Sequence, residues 1–277
     1  MKVGKRIYTR LVDRSRALTP HRLYARLNGP TIIANSIPKG GTHVLTRCLS
    51  LFPDLSYSFI HYTKGNPDLL AIQNVLGKTG KGRFSAAHLW WNEPCAKLFA
   101  QKAVRSIVMV RDPRDLIISG IHYILKRKSH HWHRYFNSLP NFDAQILAYI
   151  EGVDASHSDA SMALNNIQSS FDHYLAWDQE PFNILIKFED LIGPNGGGEA
   201  SLQLEQVRKI SQHLNFDLSD HVLQRIAHNT FYSKSVTFRK GSAGEWQKHF
   251  NDEHKDAFKN TAPELLTSLG YEQDVNW

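Results

Sequence analysis

Short apolar runs alternate with segments of helical period along most of the chain. Thr31–Ser36 reads as a buried strand, followed by a helix over His43–Phe52. Arg83–Leu89 predicts a second strand, and about Glu93–Ala103 its helix. Arg105–Val110 is a third and the most apolar strand. Pro113 then stands where a first helical turn tolerates proline, opening a helix that runs to about Lys126. Phe182–Phe188 predicts a further strand, and helical period returns over 142–151, 161–177, 199–214, 218–227 and 253–269. Strands alternating with helices build a parallel sheet covered on both faces. Ligands of such a sheet bind beyond the carboxyl ends of its strands, which directs attention to the residues after each apolar run.

Composition narrows the class. The chain has 277 residues, 42% of them hydrophobic, enough for one sizeable core. No apolar run approaches membrane-spanning length, and Arg10, Asp13, Arg14 and Arg16 interrupt any signal-like run after the basic first residues. Two cysteines, Cys48 and Cys95, are too few for a disulfide framework and fit reduced thiols in a cytoplasm. Residues 1–26 carry eight lysines and arginines against Asp13 alone, so the whole net charge of +7 belongs to an N-terminal arm, residues 1–28. Ile7, Leu11 and Leu18 give the arm a partial apolar stripe. Two readings stand: a helix at the surface of a membrane, or a solvated helix packed on the domain. No nucleic-acid-binding module is recognisable, and none is expected.

The first strand runs into Pro38-Lys39-Gly40-Gly41-Thr42-His43, which opens a helix. A strand, a glycine loop and a helix N-terminus together build an anion site, because backbone N–H groups and the helix dipole face the ligand. The GxxxxGK[ST] pattern of nucleoside triphosphatases is absent. Two later segments share the chemistry: Arg111-Asp112-Pro113-Arg114-Asp115, leading to Ser119, and Arg239-Lys240-Gly241-Ser242-Ala243-Gly244-Glu245-Trp246.

This ordered trio resembles the sulfotransferases that use 3′-phosphoadenosine 5′-phosphosulfate (PAPS). The resemblance covers Pro38 to Trp246 and implies a single α/β domain of P-loop-like architecture over residues 29–277. It implies that Lys39, Gly40, Gly41, Thr42 and His43 hold the 5′-phosphosulfate and that Lys39 stabilises the leaving phosphate. Arg111, Ser119, Arg239, Lys240 and Gly241 then bind the 3′-phosphate. Phe188, Thr230 and Phe231 fall at adenine-contacting positions. His88, in Ala87-His88-Leu89, stands where the family's general base stands; a histidine titrates in the range that such a base needs. The chain departs from the family at Gly40, His43, Val44, Ala86, Ala87 and Phe188. His43 either bonds a phosphate oxygen or caps the helix. No metal is implied.

Only seven residues separate Phe231 from Arg239, so the lid that small-molecule members of the family fold over their acceptor is short here. With the basic arm, that points to a hydroxyl on a carbohydrate or glycolipid as acceptor, and to a cytoplasmic protein peripheral to a membrane. His130-His131-Trp132-His133, flanked by Lys126, Arg127, Lys128 and Arg134, reads as a basic acceptor lip, a zinc site or a plain surface loop. The rivals to an enzyme of this family are a nucleotide kinase of related fold and a non-catalytic binder of adenosine 3′,5′-bisphosphate (PAP). Oligomeric state stays open.

Overall fold

The computed structural model describes residues 20–231 and 243–277. Helix α1 (Pro20–Asn28) leads into strand β1 (Thr31–Ser36) and helix α2 (Thr42–Leu51). Strand β2 (Ser56–Gly65), helix α3 (Leu69–Thr79), strand β3 (Arg83–Leu89) and helix α4 (Glu93–Gln101) follow. Strand β4 (Val104–Val110) feeds helix α5 (Pro113–Lys126), then come α6 (His133–Ser138), α7 (Phe142–Glu151) and α8 (Ile167–Leu175). Strand β5 (Asn183–Lys187) runs directly into the short helix α9 (Phe188–Leu191). Helices α10 (Ala200–His213), α11 (Asp220–Thr230), α12 (Asp252–Thr261) and α13 (Leu265–Ser268) complete the described fold.

All five strands are parallel, in the order β2-β3-β1-β4-β5. The alternation of side chains along each strand splits the core in two. Ile32 and Ala34 of β1 and Ile107 and Met109 of β4 pack with Leu45 and Leu49 of α2 and Ile226 of α11. On the other face, Ile33, Val108 and Val110 meet Phe99, Ile117, Ile121, Ile146 and Phe171 from α4, α5, α7 and α8. Central strands buried on both faces read as continuous apolar runs, which is why β1, β3 and β4 are visible in the sequence.

Several boundaries differ from the expected ones for physical reasons. Strand β2 lies at the sheet edge and its register on β3 shifts twice, so Ser56–Gly65 shows neither a continuous apolar run nor a clean alternation. Helix α3 was also unexpected, although Asp68 caps it by accepting from the N–H groups of Leu70 and Ala71. The expected helix 161–177 starts only at Ile167, where the Asn166 side chain caps it, because Leu164 is pulled into an antiparallel bridge with Val153. The expected helix 253–269 is two helices, since Pro263 keeps Ala262 out of the helical region.

The charged arm is described only from Pro20. Ala25 is buried, its carbonyl accepts from Gly29 N–H at 2.7 Å, and its backbone lies against Gly82 at the start of β3. Ile7, Leu11 and Leu18 lie outside the described residues. No helix among the described residues is long and apolar enough to cross a membrane.

Candidate active site

The carboxyl ends of the parallel neighbours β3, β1, β4 and β5 lie side by side along one edge of the sheet, beside the loop 37–41, and this edge is the candidate cleft. Backbone geometry makes that loop. Gly40 N–H donates to Ile37 O at 2.8 Å, and Ile37 N–H donates to Met109 O at 3.2 Å, tying the turn to β4. Gly41 has φ 105°, and a Cβ there would overlap the Phe188 ring and lie 2.9 Å from Met109 Sδ. Gly41 also sits at the N-cap of α2 with no side chain to cap it; Val44 and Leu45 N–H donate to Gly41 O, and the start of the helix offers backbone N–H groups and its dipole to a ligand. Lys39 is held at φ 70°, an uncommon backbone for a lysine, and its Nζ stands 4.4 Å from the centre of the Tyr123 ring on α5. Thr42 Oγ1 and Ser36 Oγ are 2.6 Å apart beneath the loop, and the exposed His43 stands at its mouth. Desolvation and the Lys39 charge both lower the His43 pKa.

His88 is fixed by a device that the sequence reading did not single out. The pairing of β1 with β3 ends at Asn35 and Ala87. The Asn35 side chain then continues the ladder: its Nδ2 donates to Leu89 O and its Oδ1 accepts from Leu89 N–H, both at 2.8 Å. Trp177 Nε1 also donates to Leu89 O, at 2.9 Å. With Leu89 clamped, His88 Nδ1 donates to Ser36 O at 2.8 Å. A carbonyl only accepts, so Nδ1 carries the proton and Nε2 of the neutral ring is an unprotonated base. Burial lowers the His88 pKa to about 4; the Ser36 bond pulls it back up in part, and the nearby His61, His43 and Lys39 lower it further. The His61 ring of β2 lies 4.8 Å from the His88 ring, centre to centre, and His61 was not a sequence candidate because β2 was not.

The opposite wall is a network of buried charge. Arg111 ends β4, 9% exposed, stacked 4.8 Å over the Phe188 ring, with Asp115 Oδ2 at 3.5 Å and Glu189 Oε1 at 4.0 Å. Arg111 therefore has two carboxylates and an aromatic face within reach of its guanidinium at the end of β4. Asp115 accepts from Gly244 N–H at 2.8 Å and Trp246 N–H at 2.9 Å, which latches the 243–246 segment onto α5. Burial pushes the Asp115 pKa up, and Arg111 and these two N–H donors pull it back. Arg114 is turned away from the cleft: it binds Asp112 and Glu272 and is stacked between Trp246 and Trp277. Trp246 is thus packing. Glu189 accepts from Asp112 N–H at 3.0 Å and Tyr271 Oη–H at 2.7 Å, yet burial still raises its pKa to about 7.

Ser119 is half-buried on α5, two turns past Arg111. Phe188 is buried between Gly41 and Arg111. Thr230 is less well placed for a ligand. Its hydroxyl donates to Ile226 O at 2.8 Å and meets the Cys48 thiol inside the seam of α2 and α11. Phe231, next to it, packs on Ile192 and Gly196. Arg239, Lys240 and Gly241 lie outside the described residues. Cys48 and Cys95 are free, buried thiols, each pushed up to about 12.

The histidine-rich segment joins the same cleft. His130 meets the edge of Tyr123 at 5.5 Å and stacks on His131 at 4.5 Å, and Trp132 packs against both histidines. Arg127 donates to the Tyr123 hydroxyl. Burial and the neighbouring His131, Arg127 and His133 lower the His130 pKa to about 4. Among the described residues no group of three or more histidines, cysteines or carboxylates is placed to hold a metal, so the zinc reading finds no support here.

A sulfotransferase-domain family model matches residues 30–270. Sulfotransferase 6B1 of Danio rerio is 25% identical over 197 residues, which cover 65% of this chain and 58% of that protein. The ATP-dependent kinase YFH7 of Saccharomyces cerevisiae is 24% identical over 188 residues, 57% of this chain and 52% of the kinase. The chain thus spans little more than half the length of these relatives. Among solved structures, mouse sulfotransferase SULT7A1 complexed with PAP superposes with TM-score 0.59 at 18% identity, covering 93% of this chain and 94% of that one. Retinol dehydratase in complex with androsterone and the inactive cofactor PAP gives 0.56 at 17% identity, covering 85% and 80%. At such identities these two likenesses establish the fold.

Proposed function

The chain belongs to the sulfotransferase family and is a transferase, and from that premise we propose that it moves a sulfuryl group from PAPS to an acceptor hydroxyl. One observation carries the reading: an uncapped helix N-terminus behind Lys39, a histidine with its base nitrogen defined, and a buried arginine stand at adjacent strand ends. Gly41 lets the loop close against the Phe188 ring, where a Cβ would collide, so backbone N–H groups rather than side chains are offered to an oxyanion. PAPS, when bound, supplies an activated sulfuryl group on a phosphate leaving group. Lys39 and the first turn of α2 orient and neutralise that phosphate. Arg111 selects the 3′-phosphate with Ser119, Arg239, Lys240 and Gly241, and Phe188 and Phe231 offer the adenine apolar surface. Nε2 of His88 takes the acceptor proton, and its Nδ1–H bond to Ser36 O keeps the ring in that tautomer. A sulfuryl group carries less charge than a phosphoryl group, so the step needs no metal.

The acceptor we assign is a carbohydrate or glycolipid hydroxyl. It rests on the short 232–238 segment and on the cluster of Tyr123, His130 and Trp132 rings, which meet edge-on and tilted beside the Tyr123 face that Lys39 covers and offer aromatic surface to a sugar. The basic arm is proposed to bring the protein to an anionic membrane surface, where each basic residue contributes about 1 kcal/mol. The kinase reading lacks its GxxxxGK[ST] loop in this sequence.

Incubating the full-length chain with radiolabelled PAPS and a panel of hydroxyl acceptors, without divalent metal, tests the reaction. Label is expected on a saccharide or glycolipid. Label retained in the donor with every acceptor, together with equal calorimetric affinity for PAP and AMP, overturns the assignment. Sedimentation with anionic vesicles at low salt, lost when residues 1–26 are deleted, tests the arm.

A further inference from the structure

The proton that His88 takes up has to leave a half-buried ring. The groups nearest that ring are Lys39, His43 and His61. Lys39 is already an ammonium ion at neutral pH and accepts nothing. His43 lies in the first turn of α2, in the segment proposed to hold the donor's 5′-phosphosulfate. His61 is on β2, the strand next to that of His88, exposed to solvent, with its ring 4.8 Å from that of His88 and tilted by 55°. At that separation a proton passes directly or across one water.

The placement of His61 is specific. Residue 61 pairs with Ala86, so His61 and His88 stand diagonally on the same face of the sheet, the face that carries α2. The register shift just before His61 and the left-handed Phe59, φ 62°, form an irregularity that re-aims this edge strand. Non-glycine residues with such a backbone persist where the surroundings hold them, often beside functional sites.

We propose that His61 is the proton relay of this site: it receives from the His88 imidazolium the proton taken from the acceptor hydroxyl and releases it to water. The proposal rests on the sulfotransfer reading. The acceptor O–H bond breaks as His88 Nε2–H forms. That N–H bond then breaks as an N–H bond forms on His61, which gives its proton to solvent. No electrons change hands, and the sulfur–oxygen exchange is untouched. His61 acts through His88 and is a positioning and relay residue rather than a catalytic one.

The test uses the full-length chain, labelled PAPS and two phenols. 4-Methylphenol has a tyrosine-like pKa of about 10 and must lose its proton during reaction. 4-Nitrophenol is ionised near neutrality and brings no proton. His61→Ala is expected to lower kcat on 4-methylphenol by about 10–100-fold, with the PAPS KM within about twofold of wild type, while 4-nitrophenol turnover is nearly unchanged. Imidazole added to the buffer is expected to restore 4-methylphenol turnover. In the ligand-free protein, a nuclear Overhauser contact between the two imidazole rings is expected. Equal loss on both phenols without imidazole rescue overturns the relay in favour of a structural role, and unchanged kcat on both overturns it outright. A loss that appears with His43→Ala and not with His61→Ala assigns the path to His43 instead. If wild type labels a saccharide or glycolipid but neither phenol, the same variants are compared on that acceptor, whose hydroxyl brings a proton. A His61→Ala loss restored by imidazole is then expected, and a loss without rescue or no loss overturns the relay. If wild type binds PAP but labels no acceptor, the sulfotransfer reading fails and the relay falls with it.

Discussion

Lys39 and His88 lean on backbone, whereas Arg111 stands inside a cluster of buried charge. On the loop side, Gly40, Gly41, Ser36 and the Asn35 clamp set the geometry, and the candidate side chains Lys39 and His88 are half-buried. On the arginine side, Asp112, Arg114, Asp115, Glu189, Tyr271 and Glu272 bind one another as well as Arg111. A group positioned by backbone can be removed without leaving a buried charge uncompensated. A group held by a charge network cannot, because its partners stay behind, buried and uncompensated. Function and stability should therefore separate on the first wall and move together on the second.

The largest expected effects test that separation directly. Arg111→Ala should weaken PAP binding by about 2–5 kcal/mol and lower the melting temperature with it, since Asp115 and Glu189 lose their cation. On the loop, Lys39→Ala and His88→Ala should each lower kcat by about 100-fold or more, with the fold retained. Lys39→Gly should go further: it abolishes turnover yet stabilises the protein by about 1 kcal/mol, because glycine takes the left-handed backbone at φ 70° without strain. Calorimetry and thermal unfolding on the same variants check both halves. A Lys39→Gly protein that unfolds at a lower temperature than wild type would erase the contrast between the walls.

Acidity should separate the walls next. Glu189 has its pKa raised by burial from 4.5 to about 7, so between those values the folded protein holds a proton that the unfolded chain releases. Its stabilising contribution is full below about pH 4.5 and is lost as pH rises through about 7, on the order of 2–3 kcal/mol at most. His88 runs the other way. Burial lowers its pKa from 6.5 to about 4, so its contribution is full above pH 6.5 and is lost as pH falls through about 4. Urea unfolding between pH 5 and 8 should show Glu189→Gln losing less stability than wild type as pH rises. The same slope in both proteins would mean that Glu189 is ionised throughout.

How much of this was legible in the sequence follows from the same physics. Strands β1, β3 and β4 are buried on both faces and announce themselves as apolar runs, and the motifs at their ends are local, so Lys39, His88 and Arg111 could be nominated from sequence, and the structure puts them at neighbouring strand ends. Asn35 could not be singled out: its side-chain ladder to Leu89 joins residues 54 apart and leaves no periodic trace. Asp115 was visible as a neighbour of Arg111 but not as the latch for Gly244 and Trp246, a contact across 129 residues. His61 was missed with its strand, because an irregular edge strand interleaves Ser, Tyr, Phe, Ile and His without a clean period. Thr230 was assigned by motif, yet only three dimensions show its hydroxyl turned back onto Ile226. The Asp68 cap before Leu69-Leu70-Ala71-Ile72 was the one available signal for α3.

The smallest expected effect probes where the two walls meet, at Tyr123 of α5, whose ring carries the Lys39 ammonium and whose hydroxyl accepts from Arg127. Tyr123→Phe keeps the ring and loses only the Arg127 contact, an exposed bond that contributes little. Tyr123→Ala removes the ring, and with it a cation–π attraction of about 0.5–1 kcal/mol. That is about a two- to fivefold fall in kcat/KM for PAPS, because 1.4 kcal/mol corresponds to a factor of about ten. If Tyr123→Ala instead loses as much as Lys39→Ala, then backbone alone does not hold the lysine in place, and the loop wall depends on a side-chain partner just as the arginine wall does. If Phe and Ala lose equally, the hydroxyl and its Arg127 contact carry the effect, and the lip of the cleft rather than the lysine is what Tyr123 supports.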